Sequence, residues 1–296
     1  MTSVVKTVTE QKLIAPPSFV NENLAYETLM GSQSYGVSSD DSDWDIYGFC
    51  VPDRELVFPH LQGNIEGFGR QIQRFEQFQQ HHIMSNCGQK EYDIQIFNIV
   101  KFFQLAMDNN PNIVDSLFTP DRCILHMNEI GTLVRENRSS FLHKGSWHKF
   151  KGYAYSQLSK IGAKANASNP KRQASILEFG YDVKFAYHVV RLLDECEQIL
   201  ATGTLNLEQN REQLKSIRRG EWTLEQINQH FKNKEVQLET LYTTSPLRFS
   251  PDEAALKALL MQCLEIEYGS LSAVVQKENR TAEMIAEIEA TLKKYK

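Results

Sequence analysis

Residues 24–52 read LAYETLMGSQSYGVSSDDSDWDIYGFCVP, and this stretch decides the fold. The apolar run from Leu24 to Met30 predicts a buried strand that feeds a turn at Gly31-Ser32. Trp44 to Val51 predicts the next strand. Side chains alternate along a strand, so Asp43 and Asp45, which flank Trp44, fall on one face. Two carboxylates so placed repel each other unless a cation lies between them. Mg²⁺ is the natural filler, a hard ion that takes one or two carboxylates plus phosphate oxygens. The Gly-Ser turn offers backbone N–H groups and a hydroxyl, which suit a triphosphate.

Working outward, residues 91–98 read EYDIQIFN. Tyr92, Ile94 and Ile96 alternate with Asp93 and Gln95, a period-two pattern with one polar face. Asp93 on a strand beside the Asp43–Asp45 strand would supply a third acid. Phosphoryl transfer by two metal ions uses such a set: one ion holds the triphosphate, the other activates a hydroxyl, and the third acid bridges that ion or takes the proton.

Gly31-Ser32, Tyr35-Gly36, Ser42-Asp43-Trp44-Asp45 and the later Asp93 together resemble the DNA polymerase β superfamily of nucleotidyltransferases. The closer resemblance is to the predicted nucleotidyltransferases named after RNA-repair-associated, polymerase-β-like proteins. Their habit is GS-x-x-YG, then SD-x-D, then Asn-Pro-Asn after a helix. This chain has Asn110-Pro111-Asn112, and later Tyr181, Lys184, His188 and Arg191-Leu192 in the matching order. The resemblance runs from about residue 24 to about residue 264. Gln33 departs from it, since relatives often carry His there.

Composition suits a folded protein without a membrane anchor. The chain has 296 residues, 41% hydrophobic and 10% aromatic, enough for one large domain or two ordinary ones. No apolar run approaches a membrane span and the N-terminus lacks a signal core, so no membrane association is expected. The five cysteines are scattered and show no zinc spacing, which predicts reduced thiols and a cytoplasmic location. A net charge of −5 excludes a generic polyanion binder. Yet from Asn137 to Leu177 there is no acid at all. That stretch holds Arg138, Lys144, Lys149, Lys151, Lys160, Lys164, Lys171 and Arg172, interleaved with Trp147, Phe150, Tyr153 and Tyr155. It predicts either a phosphate-tracking surface with stacking groups or a solvated basic face on a helical hairpin.

After the Asp93 strand, Ile99, Phe102, Phe103 and Ala106 mark one face of a helix that packs on the sheet. Pro111 ends it, and Asn110 and Asn112 suit either a cap and turn or a substrate contact. Residues 54–90 are the least readable, although RFEQFQQHHI reads as a strand. Adjacent His81 and His82 cannot face one metal from a regular strand or helix, so both are read as surface residues. Helical periodicity dominates from about Ser140, and a boundary falls within residues 121–140. Between Ile176 and Leu200 one stripe is apolar (Val183, Ala186, Tyr187, Val190), and Lys184, His188 and Arg191 line a neighbouring one. Spacing alone favours an ordinary stripe in which Arg191 pairs with Glu195 and His188 is a satisfied buried group. The resemblance instead implies phosphate contacts. Gly203 marks the helix stop. Ser250-Pro251-Asp252-Glu253 predicts a capping box that opens another helix. The tail from Gln276 is charged, with Ile285, Ile288 and Leu292 as its apolar positions.

The expected fold is α+β: a polymerase β-like nucleotidyltransferase mixed sheet with flanking helices, plus a helical C-terminal domain. Residues 1–23 form a loosely held arm, 24–135 the catalytic domain and 136–296 the helical domain. The resemblance implies transfer of a nucleoside monophosphate from an NTP such as ATP to an acceptor hydroxyl, with release of pyrophosphate. Asp43, Asp45 and Asp93 would be catalytic and would hold Mg²⁺ or Mn²⁺. Gly31, Ser32, Tyr35, Gly36, Ser42, Lys184, His188 and Arg191 would bind the nucleotide. Lys149, Lys151, Lys160 and Lys164 would bind the acceptor, an RNA such as a tRNA or a damaged 3′ end. A protein or small-molecule hydroxyl as acceptor, and a catalytically idle nucleotide-binding protein, stay open, as does the oligomeric state.

Overall fold

A computed structural model describes residues 3–38, 42–69, 73–161 and 170–274, with positions 285, 288, 291 and 292. Among the described residues, five strands form one mixed sheet: β1 (Leu24–Leu29), β2 (Trp44–Cys50), β3 (Gln77–Met84), β4 (Glu91–Asn98) and β5 (Ile124–Met127). Their spatial order is β3-β4-β2-β1-β5. Only β2 and β4 run parallel; the other neighbours are antiparallel.

Among the described residues, twelve α-helices surround and extend this sheet. They are α1 (Val4–Glu10), α2 (Ser18–Glu22), α3 (Arg54–Val57), α4 (Ile99–Met107), α5 (Pro111–Phe118), α6 (Glu129–Glu136), α7 (Ser146–Ile161), α8 (Pro170–Phe179), α9 (Val183–Thr202), α10 (Arg211–Arg218), α11 (Leu224–Thr244) and α12 (Glu253–Tyr268). The protein is therefore α+β, a mixed sheet with flanking helices followed by a helical region.

Alternation sorts the strand residues onto two faces. Ile46 and Cys50 of β2 and Ile94 and Ile96 of β4 join a core beneath the sheet, together with Val5, Val8 and Val20 of the N-terminal helices. Phe49 of β2 and Phe97 of β4 point the other way, into a larger core shared with α4, α7, α9 and α12. Asp45 and Asp93 belong to this second face by the same alternation. They lie toward the beginnings of the two parallel strands, where the sheet meets the helical region.

Residues 3–22 correct the expectation of a loose arm. Val5 and Val8 of α1 and Phe19 and Val20 of α2 are buried. The Glu27 carboxylate, inside β1, accepts from the Val4 and Val5 N–H groups, each at 3.0 Å, and so caps the start of α1. The polar composition of the segment hid this, because four apolar side chains suffice to dock two short helices. α4 buries Ile99, Phe102, Phe103 and Ala106, the four positions its periodicity marks. Pro111 opens α5 instead of merely closing α4, with Asn110 as N-cap. α9 stops at Gly203, in the left-handed region with φ +68°. α12 is capped by Asp252, which accepts from the Ala255 N–H at 3.1 Å, two residues later than the sequence predicts.

None of the five cysteines is in a disulfide; Cys87 is exposed and the rest are buried. No helix among the described residues is long and apolar enough to cross a membrane. Ile285, Ile288 and Leu292 of the tail are exposed.

Candidate active site

The parallel pairing of β2 with β4 sets Asp45 directly opposite Asp93. Neighbouring strands lie about 4.8 Å apart, so two carboxylates on one face in this register are close neighbours. Asp43 precedes β2 and is exposed, at the mouth of the same site. Burial pushes the Asp45 carboxyl up to about 6; Lys184 pulls it down, Asp93 and Asp43 push it up, and His81 draws it down. Tyr47, two residues along the same face, is driven up to about 12 by burial and then by Asp45 and Asp93. Three acids therefore share one electrostatic site.

The Gly31 turn passes over Asp45. Gly31 has φ +63°, and a Cβ there would stand 2.1 Å from Asp45 Oδ2, so only glycine fits. The Met30 N–H donates to the Asp45 carbonyl at 2.7 Å, which ties the entry of the turn to β2. The turn then closes on itself: Ser34 and Tyr35 N–H donate to the Gly31 carbonyl, and Val37 N–H to that of Ser32. The Ser32 and Gln33 N–H groups and the Ser32 hydroxyl have no hydrogen bond among the described residues. Successive unpaired N–H groups on a turn form an anion-binding concavity.

Side chains from α5, α9, α10 and the segment before β5 hold this turn. Tyr35 is buried, and its hydroxyl donates to Asp115 Oδ2 of α5 at 2.7 Å. Arg191 of α9 donates to the same hydroxyl at 2.6 Å, contacts Asp115, and pairs with Glu195 at 3.0 Å. Arg122 donates to the Gln33 carbonyl at 3.1 Å, and Arg218 of α10 to that of Val37 at 2.6 Å. A Cβ on Gly36, with φ +66°, would meet Arg211 and Glu208. Tyr35 and Arg191 thus differ from the sequence expectation of direct nucleotide contact. At 3% and 5% exposure both side chains are turned into the protein, where the Tyr35 hydroxyl and Arg191 Nη1 bond each other and the buried acids, and they support the turn from within. The Arg191–Glu195 pairing is the one that spacing alone favours.

Lys184 lies near Asp45, and His188 lies one turn further along α9. Lys184 is exposed and near enough to Asp45 to lower its pKa. His188 is half-buried against the Tyr187 ring, with centroids 4.3 Å apart. Burial holds its pKa well below the usual histidine range, reinforced by Arg191, Lys184, Arg172 and Arg218. A neutral imidazole amid four cations marks a region of positive potential. Arg218 carries no sequence signal for this, since it sits on a helix remote in the chain. Ser42 is half-buried beside Asp43.

The basic stretch is acid-free in sequence but not in space. Lys149 pairs with Asp108 at 2.9 Å and Lys151 with Glu235 at 2.5 Å. Lys144 is buried and donates to the Thr243 carbonyl at 3.3 Å. Trp147 and Phe150 are core residues, whereas Tyr153 and Tyr155 are exposed. Lys160 is exposed and lies 5.9 Å from the Phe185 ring, one residue from Lys184, so of Lys149, Lys151 and Lys160 it is the one placed near Lys184. Lys164 lies outside the described residues. Asn110 caps α5 and donates to the Tyr153 hydroxyl at 3.0 Å; Asn112 is exposed.

His81 and His82 are both exposed, as the sequence predicts, but the strand that carries them is not regular. Between Gln80 and Ile83 the β3–β4 register slips, and His82 takes φ +55°, uncommon for any residue but glycine. The bulge breaks the alternation that would keep the two rings from turning toward one site. His81 Nδ1 lies 3.5 Å from Asp93 Oδ1, the His82 N–H donates to that oxygen at 2.8 Å, and His82 Nδ1 contacts Glu91 Oε1.

Residues 5–262 match the RNA repair pathway DNA polymerase beta family (RlaP). The chain belongs to this family. It is also similar to an uncharacterized 38.9 kDa protein encoded in the nrdC-mobD intergenic region of Enterobacteria phage T4, with 26% identity over 143 residues. That match covers 47% of this chain and 39% of the phage protein. A nucleotidyltransferase-like protein from Exiguobacterium sibiricum is similar at 11% identity over 90% of this chain and 80% of the other, with a TM-score of 0.29.

Proposed function

We propose that this protein transfers a nucleoside monophosphate from an NTP to an acceptor hydroxyl, releasing pyrophosphate. The observation that carries the reading is the stacking of the Gly31-Ser32 turn on Asp45, with Asp93 in register beside it. The donor set fits a hard divalent cation: it is all oxygen, and Asp45 is elevated by burial first and then by the two other acids. Asp43, Asp45 and Asp93 would hold Mg²⁺ or Mn²⁺, whose charge would offset the triphosphate and favour ionisation of the acceptor hydroxyl.

The chain's own groups do the rest. The Ser32 hydroxyl and the Ser32 and Gln33 N–H groups orient the β- and γ-phosphates. Lys184 lies within electrostatic reach of them and offsets charge as pyrophosphate leaves. His188, kept neutral, donates or accepts one hydrogen bond without adding charge. Asp93 accepts the acceptor's proton.

RNA is the acceptor proposed. Lys160 and the exposed Tyr155 on α7 support it, as does the family's printed description. A second reading, a protein or small-molecule hydroxyl, is favoured by the pairing of Lys149 and Lys151 with acids, which shortens the free basic track. Incubation with each α-labelled NTP, Mg²⁺ or Mn²⁺, and total cellular RNA or protein tests both. Label in RNA supports the first reading and label in protein the second. No label in any macromolecule or small-molecule acceptor, together with no release of pyrophosphate, overturns the transferase reading.

A further inference from the structure

We propose that His82, Glu91 and Asp93 form a cation site at the edge of the sheet, suited to Mn²⁺, Co²⁺ or Zn²⁺. One imidazole nitrogen and one oxygen from each carboxylate lie within 4.8 Å of one another. Among the described residues this is the group of three that meets that spacing; Asp43, Asp45 and Asp93 do not.

The local backbone explains how the three converge. β3 and β4 are antiparallel neighbours, so Glu91 and Asp93, two residues apart, present their side chains on one face of β4. Regular alternation on β3 would turn either His81 or His82 away. The slip between Gln80 and Ile83, with His82 at φ +55°, brings both imidazoles round to the carboxylates. Bulges recur beside active sites because they re-aim a side chain. The His82 N–H fixes Asp93 Oδ1 at 2.8 Å, the kind of hydrogen bond that orients a ligating carboxylate. His82 is 82% exposed on its side chain, whereas Glu91 and Asp93 are 30% and 26% exposed, so an ion has an open approach to two partly seated acids.

The ligand chemistry selects the ion. Mg²⁺ and Ca²⁺ favour an all-oxygen shell, whereas imidazole with carboxylate suits Mn²⁺, Co²⁺ and Zn²⁺. Asp93 is shared with the Asp43–Asp45 pair. An ion held here would stand at the β4 side of the candidate active site, opposite the Gly31 turn. That it would serve the acceptor rests on the transferase reading; the site itself does not.

The test is spectroscopic. The full chain, with histidines labelled with ¹⁵N, is titrated with Co²⁺, and visible absorption and imidazole resonances are followed. Wild type, His82→Ala, Glu91→Gln and Asp43→Asn are compared, with thermal melts showing that each is folded. The site predicts a Co²⁺-dependent shift of the His82 imidazole signal and a d–d band. His82→Ala and Glu91→Gln should each weaken the affinity at least tenfold, and Asp43→Asn should keep the band. If the His82 signal is unmoved at millimolar Co²⁺, or if His82→Ala binds Co²⁺ as tightly as wild type, the cluster is an ion pair only and the proposal fails. Either result leaves the transferase reading intact, because Mg²⁺-dependent label transfer through Asp43 and Asp45 is a separate assay.

Discussion

Two clusters of acids lie within one molecule, and they are treated in opposite ways. Asp115 and Glu195 share the Arg191 guanidinium, Asp115 accepts from the Tyr35 hydroxyl as well, and both are sealed from water. Asp45 and Asp93 face each other across two parallel strands with the exposed Lys184 as the nearby cation, and Asp45 rises to about 6. In the first cluster the positive charge comes from the chain, so its role is support: it pins Tyr35 and with it the Gly31 turn. In the second the chain leaves negative charge concentrated at an opening, so its role is to receive positive charge from outside.

The largest effect should come from the supporting cluster. Arg191→Met strands Asp115 and Glu195 in the core without a partner. Breaking a buried pair from one side costs about 3–5 kcal/mol, read as a lower denaturant midpoint. A loss below about 1 kcal/mol would show that the cluster is not what holds α9 to the turn.

The receiving cluster should respond in the opposite sense. Asp45 has its folded pKa raised from 3.8 to about 6. Between those values the folded chain keeps a proton that the unfolded chain has released, so stability falls as pH rises through that window. Asp45→Asn removes the penalty and should stabilise the protein at pH 7.5 by about 1–3 kcal/mol in chelator-treated buffer, and hardly at all at pH 3.5. It should also abolish label transfer. Equal destabilisation at both pH values would make Asp45 a structural residue like Asp115.

Tyr35→Phe sharpens the link between the clusters. Removing one hydroxyl that both accepts and donates should cost about 1–2 kcal/mol. It should also raise the KM for NTP, because the turn loses its buried anchor. A stability loss with no change in KM would mean that Arg122 and Arg218 position the turn without it.

The smallest effect belongs to the surface. Lys160→Ala should flatten the salt dependence of acceptor binding by about one unit in log–log slope and leave the KM for NTP almost unchanged. If Lys149→Ala gives the same slope change as Lys160→Ala, pairing with Asp108 does not remove a lysine from the acceptor surface.

Much of this was legible in the sequence. Strict alternation in residues 91–98 and the apolar runs around Gly31 and Asp45 specify β1, β2 and β4, because a buried face leaves little freedom of register. The helix at residues 99–107 follows from its four apolar positions. The support network was half legible: the i, i+4 spacing of Arg191 and Glu195 is readable, but Asp115 and Tyr35 are brought to them only by the tertiary fold. The histidine bulge was illegible, since nothing in Gln80-His81-His82-Ile83 announces a register slip. The basic stretch misled for a related reason. Asp108 and Glu235, which neutralise Lys149 and Lys151, lie 41 residues before and 84 after their partners in the chain.

The central claim, that Asp45 and Asp93 exist to receive a cation together with a triphosphate, is tested most directly by calorimetric titration of NTP with and without Mg²⁺. Wild type and Asp45→Asn are compared at pH 7.5. Mg²⁺ should strengthen NTP binding to wild type at least tenfold and leave the variant nearly unaffected. An equal gain from Mg²⁺ in both proteins would place the cation elsewhere and contradict the account.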